Sequence, residues 1–318
     1  MISQETIDLF NPFALDKVYF YIESDFWSKP KMKELHNWLD NFNSDEEKYC
    51  ALKLLDRFVY YSEDDIVHLL KFGINEKIVK RHLLQVEQNN NFIISNDKIN
   101  IAKEEFLKNL YFIKLDTKNP SQSSEAMLRH LKIDVGFPES NILDTNNLKK
   151  ETLLKCKNLV ILDDFIGSGT QIRNFWNYGH IILDGKEIKF NELENIFPNV
   201  SIEYFCLVCT QEGYDNFKYD DGMGIRTDLR ITYGEILSNK FKVFSKESVY
   251  FEKLEIEYCK NLLQELCKKN YIDLLGYESL DYAIAFHHGI PDCSLPLFYM
   301  NNERWNYLFR NKKTELHV

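Results

Sequence analysis

The chain has 318 residues, of which 44% are apolar and 28% charged, with only 12 glycines and 7 prolines. The apolar content excludes a disordered chain, and the scarcity of glycine and proline excludes a collagen-like or linker-rich one. The 39 Lys and Arg residues against 49 Asp and Glu residues give a net charge of −10, which disfavours general binding of polyanions. Small anionic ligands are still allowed, because backbone amides and single cations bind them locally.

The length and the cysteine pattern further limit the class of protein. The length predicts about two domains, with cores that need no disulfide bonds. The seven cysteines are odd in number and scattered, and the first residues show no signal-peptide pattern, which together predict reduced thiols and a cytoplasmic location. The sequence has no run of about 18 apolar residues, so it predicts no membrane span. It also lacks the GxGxxG and GxxxxGK(S/T) loops, which argues against Rossmann dehydrogenases, kinases and ATPases.

Residues 1–105 are predicted to form a mainly helical N-terminal subdomain. Ser44 opens a capping box for one helix, and Ser62 opens a second helix that Gly73 is expected to end. Asn75 is expected to cap a third helix.

A small β-hairpin is predicted after these helices, where the segments Phe-Ile-Ile at 92–94 and Ile-Asn-Ile at 99–101 flank a Ser-Asn-Asp-Lys sequence. Three helices and a hairpin follow the order of a winged-helix fold, which suggests either DNA binding or a packing or partner-binding role. Residues 1–105 hold 13 Lys and Arg against 19 Asp and Glu. Because a DNA-binding face needs clustered basic residues, direct DNA binding is the less favoured of the two.

Residues 106–318 are predicted to form a second domain of the α/β class. Apolar strand segments alternate there with polar loops and helices, which predicts a parallel sheet flanked by helices, with ligands at the carboxyl ends of its strands. The predicted strands span 110–115, 159–162, 200–208, 282–286 and 295–299. The predicted helices lie around 125–131, 170–178 and 246–269.

The stretch 159–171 carries most of the chemistry. A buried strand, Leu-Val-Ile-Leu, delivers Asp163 and Asp164 to its carboxyl end, and a Gly-Ser-Gly-Thr turn then opens a helix. Glycines let successive amides point into one concavity, and a helix N-terminus favours a phosphate. The two carboxylates repel phosphate but suit vicinal sugar hydroxyls, or a Mg²⁺ ion shared with them.

A sugar phosphate fits this stretch, with its diol at the acids and its phosphate at the turn. The alternative is an ordinary strand–turn–helix junction, with glycine for the turn and serine as a cap. Adjacent acids at a buried strand end are costly without partners, which favours the ligand site.

Residues 159–171 resemble the phosphoribosyl-pyrophosphate (PRPP) loop of type I phosphoribosyltransferases, which has four apolar residues, two acids and a Thr/Ser-Gly turn. The resemblance implies that Asp163 and Asp164 hold the ribose as catalytic residues. It implies that the 5-phosphate is bound by Gly167, Ser168, Gly169, Thr170 and Gln171. The family usually ends the loop with threonine where this chain has Gln171.

A narrower resemblance involves the C-terminal part of the chain. Leu-Gly-Tyr at 275–277 and the stretch 283–296 resemble the tail of the PRTase-like family of bacterial conflict systems. Members of that family occur alone or in anti-phage modules such as retrons, and they carry a helical N-terminal region. Their tail usually reads close to His-Asn-Thr-Pro-Asn-Asn-Thr-Leu-Pro, whereas this chain has Gly-Ile-Pro-Asp-Cys-Ser in the middle. The two resemblances together cover roughly residues 30–310.

Two further groups are weaker candidates for ligand binding. In a phosphoribosyltransferase the loop at 116–124 would hold pyrophosphate, with charge and hydroxyls from Lys118, Ser123, Ser124 and Arg129. A Ser-rich loop with a helix cap explains these residues equally well. His288 and Asp292 are candidates for contact with a base or a metal, and an ordinary strand end is the alternative.

Two function classes follow from these observations. The first is an enzyme that binds PRPP with Mg²⁺ and transfers the phosphoribosyl group to a nitrogen nucleophile or to water, with pyrophosphate as the leaving group. The second is a PRPP- or nucleotide-sensing module without catalysis that regulates a partner. The conflict-system resemblance adds a third hypothesis, an anti-phage effector that is silenced by a protein or by a retron or other nucleic-acid partner.

Overall fold

The computed structural model describes residues 2–114, 122–218 and 229–311, with the side chains of 122–124 left out. The helices are α1 (Gln4–Glu23), α2 (Met32–Leu39), α3 (Asp45–Asp56), α4 (Glu63–Phe72), α5 (Lys80–Asn89), α6 (Asn96–Lys108), α7 (Gln122–His130), α8 (Lys150–Lys155), α9 (Thr170–Tyr178), α10 (Leu193–Ile196), α11 (Gln211–Lys218) and α12 (Ile256–Lys269). The strands are β1 (Val59–Tyr61), β2 (Leu110–Lys114), β3 (Ile142–Leu143), β4 (Asn158–Ile166), β5 (His180–Leu183), β6 (Lys186–Lys189), β7 (Ser201–Thr210), β8 (Arg230–Leu237) and β9 (Ile284–Phe286).

The chain divides into two compact units. The first unit combines Met1–Asp65 with Leu237–Val318, and the second is the continuous segment Ile66–Ile236. The boundaries of these units, after Asp65 and after Ile236, differ from the predicted domain boundary between residues 105 and 106. The division into domains 1–105 and 106–318 stays a prediction.

The second unit is built on a five-stranded sheet in the order β3-β2-β4-β7-β8. The neighbours β3, β2, β4 and β7 run parallel, and β4 pairs with β7 from Asn158 opposite Ser201 to Ile166 opposite Cys209. α7 packs against β2 and β4, and α11 packs against β7. The predicted parallel sheet flanked by helices is therefore confirmed, and β4 lies at its centre.

Hydrophobic burial explains why β4 is central. Its residues Leu159, Val160, Ile161 and Leu162 are all at most 1% exposed. A strand with neighbours on both edges and helices on both faces buries every side chain, so it reads as a continuous apolar run rather than an alternating one. The strand extends past this run to Ile166, so the two aspartates lie within it, three and two residues before its last residue, rather than at its carboxyl end as predicted.

The first unit has its own core, formed by helices and a short parallel strand pair. α1 buries Ile7, Ala14, Val18 and Ile22, which recur at helical spacing on one face. α12 buries Cys259, Leu263, Leu266 and Cys267 in the same hydrophobic cluster. β1 pairs in parallel with β9, from Val59 opposite Ile284 to Tyr61 opposite Phe286.

The hairpin predicted at 92–101 is wrong, because this sequence forms the start of α6. Ser95 is the N-cap of that helix, and its hydroxyl accepts a hydrogen bond from the amide of Lys98 at 3.4 Å. The polar Ser-Asn-Asp-Lys sequence is therefore a helix cap and first turn. Because there is no hairpin at these residues, the N-terminal region is helical as predicted but does not follow the winged-helix order.

Three other boundaries differ from the predictions for physical reasons. The chain stays helical beyond Gly73, through a π-helical segment at Gly73–Val79, and a Cβ on Gly73 would lie 2.0 Å from the Phe205 ring. α12 begins at Ile256 rather than near 246, since the Ser248 hydroxyl donates to the carbonyl of Val243 and holds a turn there. The predicted strand at 295–299 is a 3₁₀ helix, Pro296–Phe298, and proline suits a first helical turn.

Among the described residues, no helix combines the length and the apolar character needed to cross a membrane.

The cap of α6 can be tested directly. Ser95→Ala should lower the free energy of unfolding by about 0.5–2 kcal/mol, because it removes the side-chain acceptor at the N-cap. Urea denaturation followed by circular dichroism measures this change. Ser95→Asp keeps an acceptor and should stay near the wild type, whereas equal stability of Ser95→Ala and the wild type would contradict the cap.

Candidate functional site

The two aspartates of β4 occupy different environments. Asp163 is 5% exposed, whereas Asp164 is half-buried. Successive residues of a strand point to opposite sides, so one of two adjacent residues can lie deeper than its neighbour. The pair therefore consists of an inner and an outer carboxylate rather than two equivalent ones.

Asp163 is held from two directions. The Tyr204 hydroxyl, on the adjacent strand β7, donates a hydrogen bond to Asp163 Oδ2. The backbone amide of Asp164 donates to Asp163 Oδ1 at 3.0 Å. These contacts fix the inner carboxylate and, through the amide, the backbone of the outer one.

Burial raises the pKa of Asp163 well above its ordinary value, and the negative charge of Asp164 raises it further. A side-chain hydrogen bond with Asp164 acts in the same direction, while the bond from Tyr204 opposes it. Burial and the nearby Asp163 charge likewise raise the pKa of Tyr204, which keeps its hydroxyl as a donor. Asp163 therefore binds a proton more tightly than an ordinary aspartate does.

The turn after β4 is compact and internally bonded. Gly169 adopts a left-handed conformation with φ of 82° and serves as the N-cap of α9. The Ser168 hydroxyl is buried, donates to Thr170 Oγ1 at 3.1 Å and accepts from the amide of Thr170 at 3.3 Å. Gln171 follows as an exposed residue in the first turn of α9.

The start of α11 braces this turn from one side. Thr210, the last residue of β7, donates its hydroxyl to the carbonyl of Gly167 at 2.5 Å and accepts from the amide of Gly213 at 2.8 Å. Asn216 donates its side-chain amide to the carbonyl of Ser168 at 3.2 Å. The Thr210 hydroxyl thus caps α11 and holds the turn at the same time.

These bonds determine which way the amides of the turn point. In a trans peptide the N–H and the C=O point in opposite directions. The carbonyls of Gly167 and Ser168 point towards α11, so the amides that follow them, of Ser168 and Gly169, point away from it. Two adjacent amides at the start of α9 are therefore oriented as donors on the side opposite α11.

Close backbone contact accompanies this arrangement. A Cβ on Gly169 would lie 2.8 Å from the carbonyl oxygen of Gly213, and a Cβ on Gly213 would lie 2.1 Å from that of Gly167. Glycine at 169 and 213 lets the two turns approach each other. Gly213, Thr210, Asn216 and Tyr204 were not predicted from the sequence, although a threonine that ends a strand and precedes a helix is an N-cap signal.

The predicted pyrophosphate ligands are only partly described. Lys118 lies outside the described residues, and Ser123 and Ser124 belong to α7 without described side chains. Arg129 is exposed in the last turn of that helix, about 7.5 Å along the helix axis from Ser124. Their role in binding pyrophosphate stays a prediction.

His288 and Asp292 belong to the first compact unit, whereas the turn after β4 belongs to the second. The His288 ring stacks on Phe286 with centroids 5.4 Å apart, and Asp292 is exposed. The neighbouring His287 accepts or donates a bond at Nδ1 with the Ser28 hydroxyl, 2.8 Å away. Contact of His288 and Asp292 with a base or a metal stays a prediction.

The comparison with protein families decides the identity of this fold. The PRTase-CE family model matches residues 35–311, which is most of the chain and includes β4, the turn and the C-terminal tail. The chain belongs to the PRTase-CE family. This membership supports a phosphoribosyltransferase-like protein and confirms the resemblance to the PRTase-like family that the sequence showed. No curated protein matches the chain.

The brace between Thr210 and the turn can be tested by removing one hydroxyl. Thr210→Val keeps the side-chain shape but leaves the half-buried carbonyl of Gly167 and the buried amide of Gly213 without this partner. The free energy of unfolding should fall by about 1–3 kcal/mol, as measured by urea denaturation. Thr210→Ser, which keeps the hydroxyl, should lose clearly less, and equal losses in both variants would contradict the brace.

The raised pKa of Asp163 gives a prediction of pH dependence. The folded state binds this proton more tightly than the unfolded state, in which an Asp pKa is about 4. The resulting stability is complete below that pH and is lost as the pH rises towards the raised value. Asp163→Asn cannot ionise, so its unfolding free energy should decline less between pH 4 and pH 8 than that of the wild type. Parallel curves for the two proteins would contradict the raised pKa.

Proposed function

We propose that this PRTase-CE protein binds PRPP, or a nucleotide with a ribose 5-phosphate, at the turn after β4. The observation that supports this most is the orientation of the Ser168 and Gly169 amides away from α11, at the N-terminus of α9. Two such donors and the helix dipole together favour a phosphate group. The Thr170 and Gln171 side chains supply further polar groups at the edge of the phosphate site.

The two aspartates take different parts in ribose binding. Asp164 is the outer carboxylate, so it accepts hydrogen bonds from the vicinal hydroxyls of the ribose. Asp163 is a positioning residue, because its oxygens are engaged by Tyr204 and by the Asp164 amide. This division differs from the sequence-based expectation, in which both acids hold the ribose.

Mg²⁺ is expected to bind together with the diphosphate group of PRPP. The described residues contain no group of three or more His, Cys, Asp or Glu side chains placed to hold a metal ion. Mg²⁺ needs only one or two carboxylates when waters and substrate phosphates complete its shell, and Asp164 fits that limited role. When bound, the ion neutralises the charge of the leaving pyrophosphate.

The reaction that fits this site is transfer of the phosphoribosyl group. The bond between C1 and the pyrophosphate oxygen breaks with both electrons leaving on pyrophosphate, and a nitrogen nucleophile or water forms the new bond at C1. Fixing the 5-phosphate and the ribose hydroxyls holds C1 in place, and positioning of this kind lowers the barrier. Transfer to a base and hydrolysis fit the described residues equally.

A sensing module without catalysis is the second candidate. The burial of Asp163 and its hydrogen bonds from Tyr204 and the Asp164 amide favour it, since they leave Asp164 as the one outer carboxylate of the pair. One outer carboxylate is enough to bind a diol, but it stabilises the positive charge that develops at C1 less than two outer carboxylates would. Such a module would signal PRPP or nucleotide levels to a partner.

The biological role proposed here is that of an effector in a bacterial anti-phage system. It rests on the resemblance of the tail to proteins of conflict systems, some of them associated with retrons. A protein or nucleic-acid partner would silence the effector until infection. Equal growth of cells that express the chain with and without its genomic neighbours would count against this role.

Calorimetric titration with PRPP, with and without Mg²⁺, tests the binding proposal. Asp164→Asn should weaken binding at least about tenfold, because it removes the charged acceptor of the ribose hydroxyls. Glu187→Gln neutralises an exposed carboxylate on β6 and is the matched control, with unchanged affinity expected. Gly169→Val should also weaken binding, since it places a side chain at a left-handed φ against Gly213.

The outcomes separate the candidates. PRPP binding with release of pyrophosphate supports the enzyme, and binding without release supports the sensor. Absence of binding by the folded wild type, or binding unchanged in both Asp164→Asn and Gly169→Val, would contradict both candidates.

A further inference from the structure

Helix α1 presents an apolar row to solvent on the side opposite its buried face. Leu9, Phe13 and Phe20 are 71%, 62% and 58% exposed, and Phe26, just beyond the helix, is 61% exposed. The Phe20 and Phe26 rings lie 6.1 Å apart, which extends the row past the helix end. Single exposed apolar residues need no explanation, but four large ones along one side of a helix and its end indicate an interaction surface.

The row follows the spacing of a coiled-coil seam. Leu9, Phe13, Asp16, Phe20 and Glu23 are separated by four, three, four and three residues, which is the alternation of the a and d positions of a heptad. The seam from Leu9 to Glu23 is about 21 Å long, at the helical rise per residue. We call these five residues the α1 seam.

The charges of the α1 seam limit what can cover it. Asp16 and Glu23 occupy two of its five positions, and Glu5 and Asp8 are further exposed acids of the same helix. The one lysine of α1, Lys17, is engaged, with its ammonium 2.7 Å from Asp56 Oδ1. Phosphate-rich surfaces, such as anionic lipid or nucleic acid, are repelled by this helix.

A second copy of the chain is a poor occupant for the same reason. Parallel pairing of two α1 seams would place Asp16 against Asp16 and Glu23 against Glu23. Antiparallel pairing would pack these carboxylates against phenylalanine rings. Each arrangement buries negative charge without a cation, which is costly.

We propose that the α1 seam binds a basic amphipathic helix of a partner protein. Among the a and d positions of such a helix, those that face Leu9, Phe13 and Phe20 are apolar, and those that face Asp16 and Glu23 are Lys or Arg. Apolar contact supplies affinity, and the acids select a cationic partner and reject self-pairing. This inference is independent of PRPP binding.

Labelled synthetic helices of about three heptads test the proposal by fluorescence anisotropy with the full chain. One peptide has leucine at the a and d positions that face Leu9, Phe13 and Phe20 and lysine at those that face Asp16 and Glu23, and the second has glutamate in place of the lysines. The lysine peptide should bind the wild type saturably and at least about tenfold more tightly than the glutamate peptide. The double variant Asp16→Lys, Glu23→Lys should reverse this preference.

Two further variants separate the apolar contact from charge alone. Phe13→Gln with Phe20→Gln should weaken the lysine peptide at least about tenfold. Leu254→Gln, at a residue that is 95% exposed in the same unit, is the matched control and should leave affinity unchanged. All these residues are exposed, so unchanged circular dichroism is expected to verify folding.

Three results would overturn the proposal. They are no saturable binding of the lysine peptide to the wild type, a peptide preference that the charge reversal does not invert, and a concentration-dependent dimer that Phe13→Gln with Phe20→Gln abolishes in sedimentation. The last result would identify a second copy of the chain as the occupant.

Discussion

The hydrogen bond from the Thr210 hydroxyl to the carbonyl of Gly167 is the contact on which the proposed site depends. It turns that carbonyl towards α11, and planarity of the peptide then turns the Ser168 amide the other way. The same hydroxyl caps α11 through Gly213, so the helix and the turn hold each other in place. A bond of this kind contributes only about 1 kcal/mol net, but here it determines the direction of the donors.

The charge of the two carboxyl groups is the second constraint, and it depends on how deeply each one is buried in the sheet. Because β4 is the central strand, Asp163 is buried on it, and the half-buried Asp164 is the next residue along the strand. Burial and the Asp164 charge both favour a proton on Asp163, and Tyr204 opposes that only in part. The site therefore combines two backbone donors for a phosphate with one outer carboxylate for hydroxyls, and these two halves suit the two ends of a ribose 5-phosphate.

The sequence predicts the centre of this architecture because its signals are local. A continuous apolar run followed by two acids and a glycine-containing turn specifies β4 and the start of α9. The wrong prediction of a hairpin at 92–101 shows the limit of local signals, since a serine such as Ser95 is equally typical of a turn and of a helix N-cap. The Asp-Gly pair at 184–185 is a local hairpin signal, and it forms the turn between β5 and β6 with φ of 47° and 79°, as two-residue hairpins require. Thr210 lies 43 residues from Gly167 in the sequence, and no local pattern predicts a hydrogen bond between residues so far apart.

A crystal structure of the chain grown with PRPP, or with inorganic phosphate, tests the account most directly. The predicted result is density for a phosphate group within hydrogen-bond distance of the Ser168 and Gly169 amides, with the Thr210 hydroxyl still on the carbonyl of Gly167. Phosphate bound elsewhere, or a turn whose Ser168 and Gly169 amides point towards α11, would contradict it.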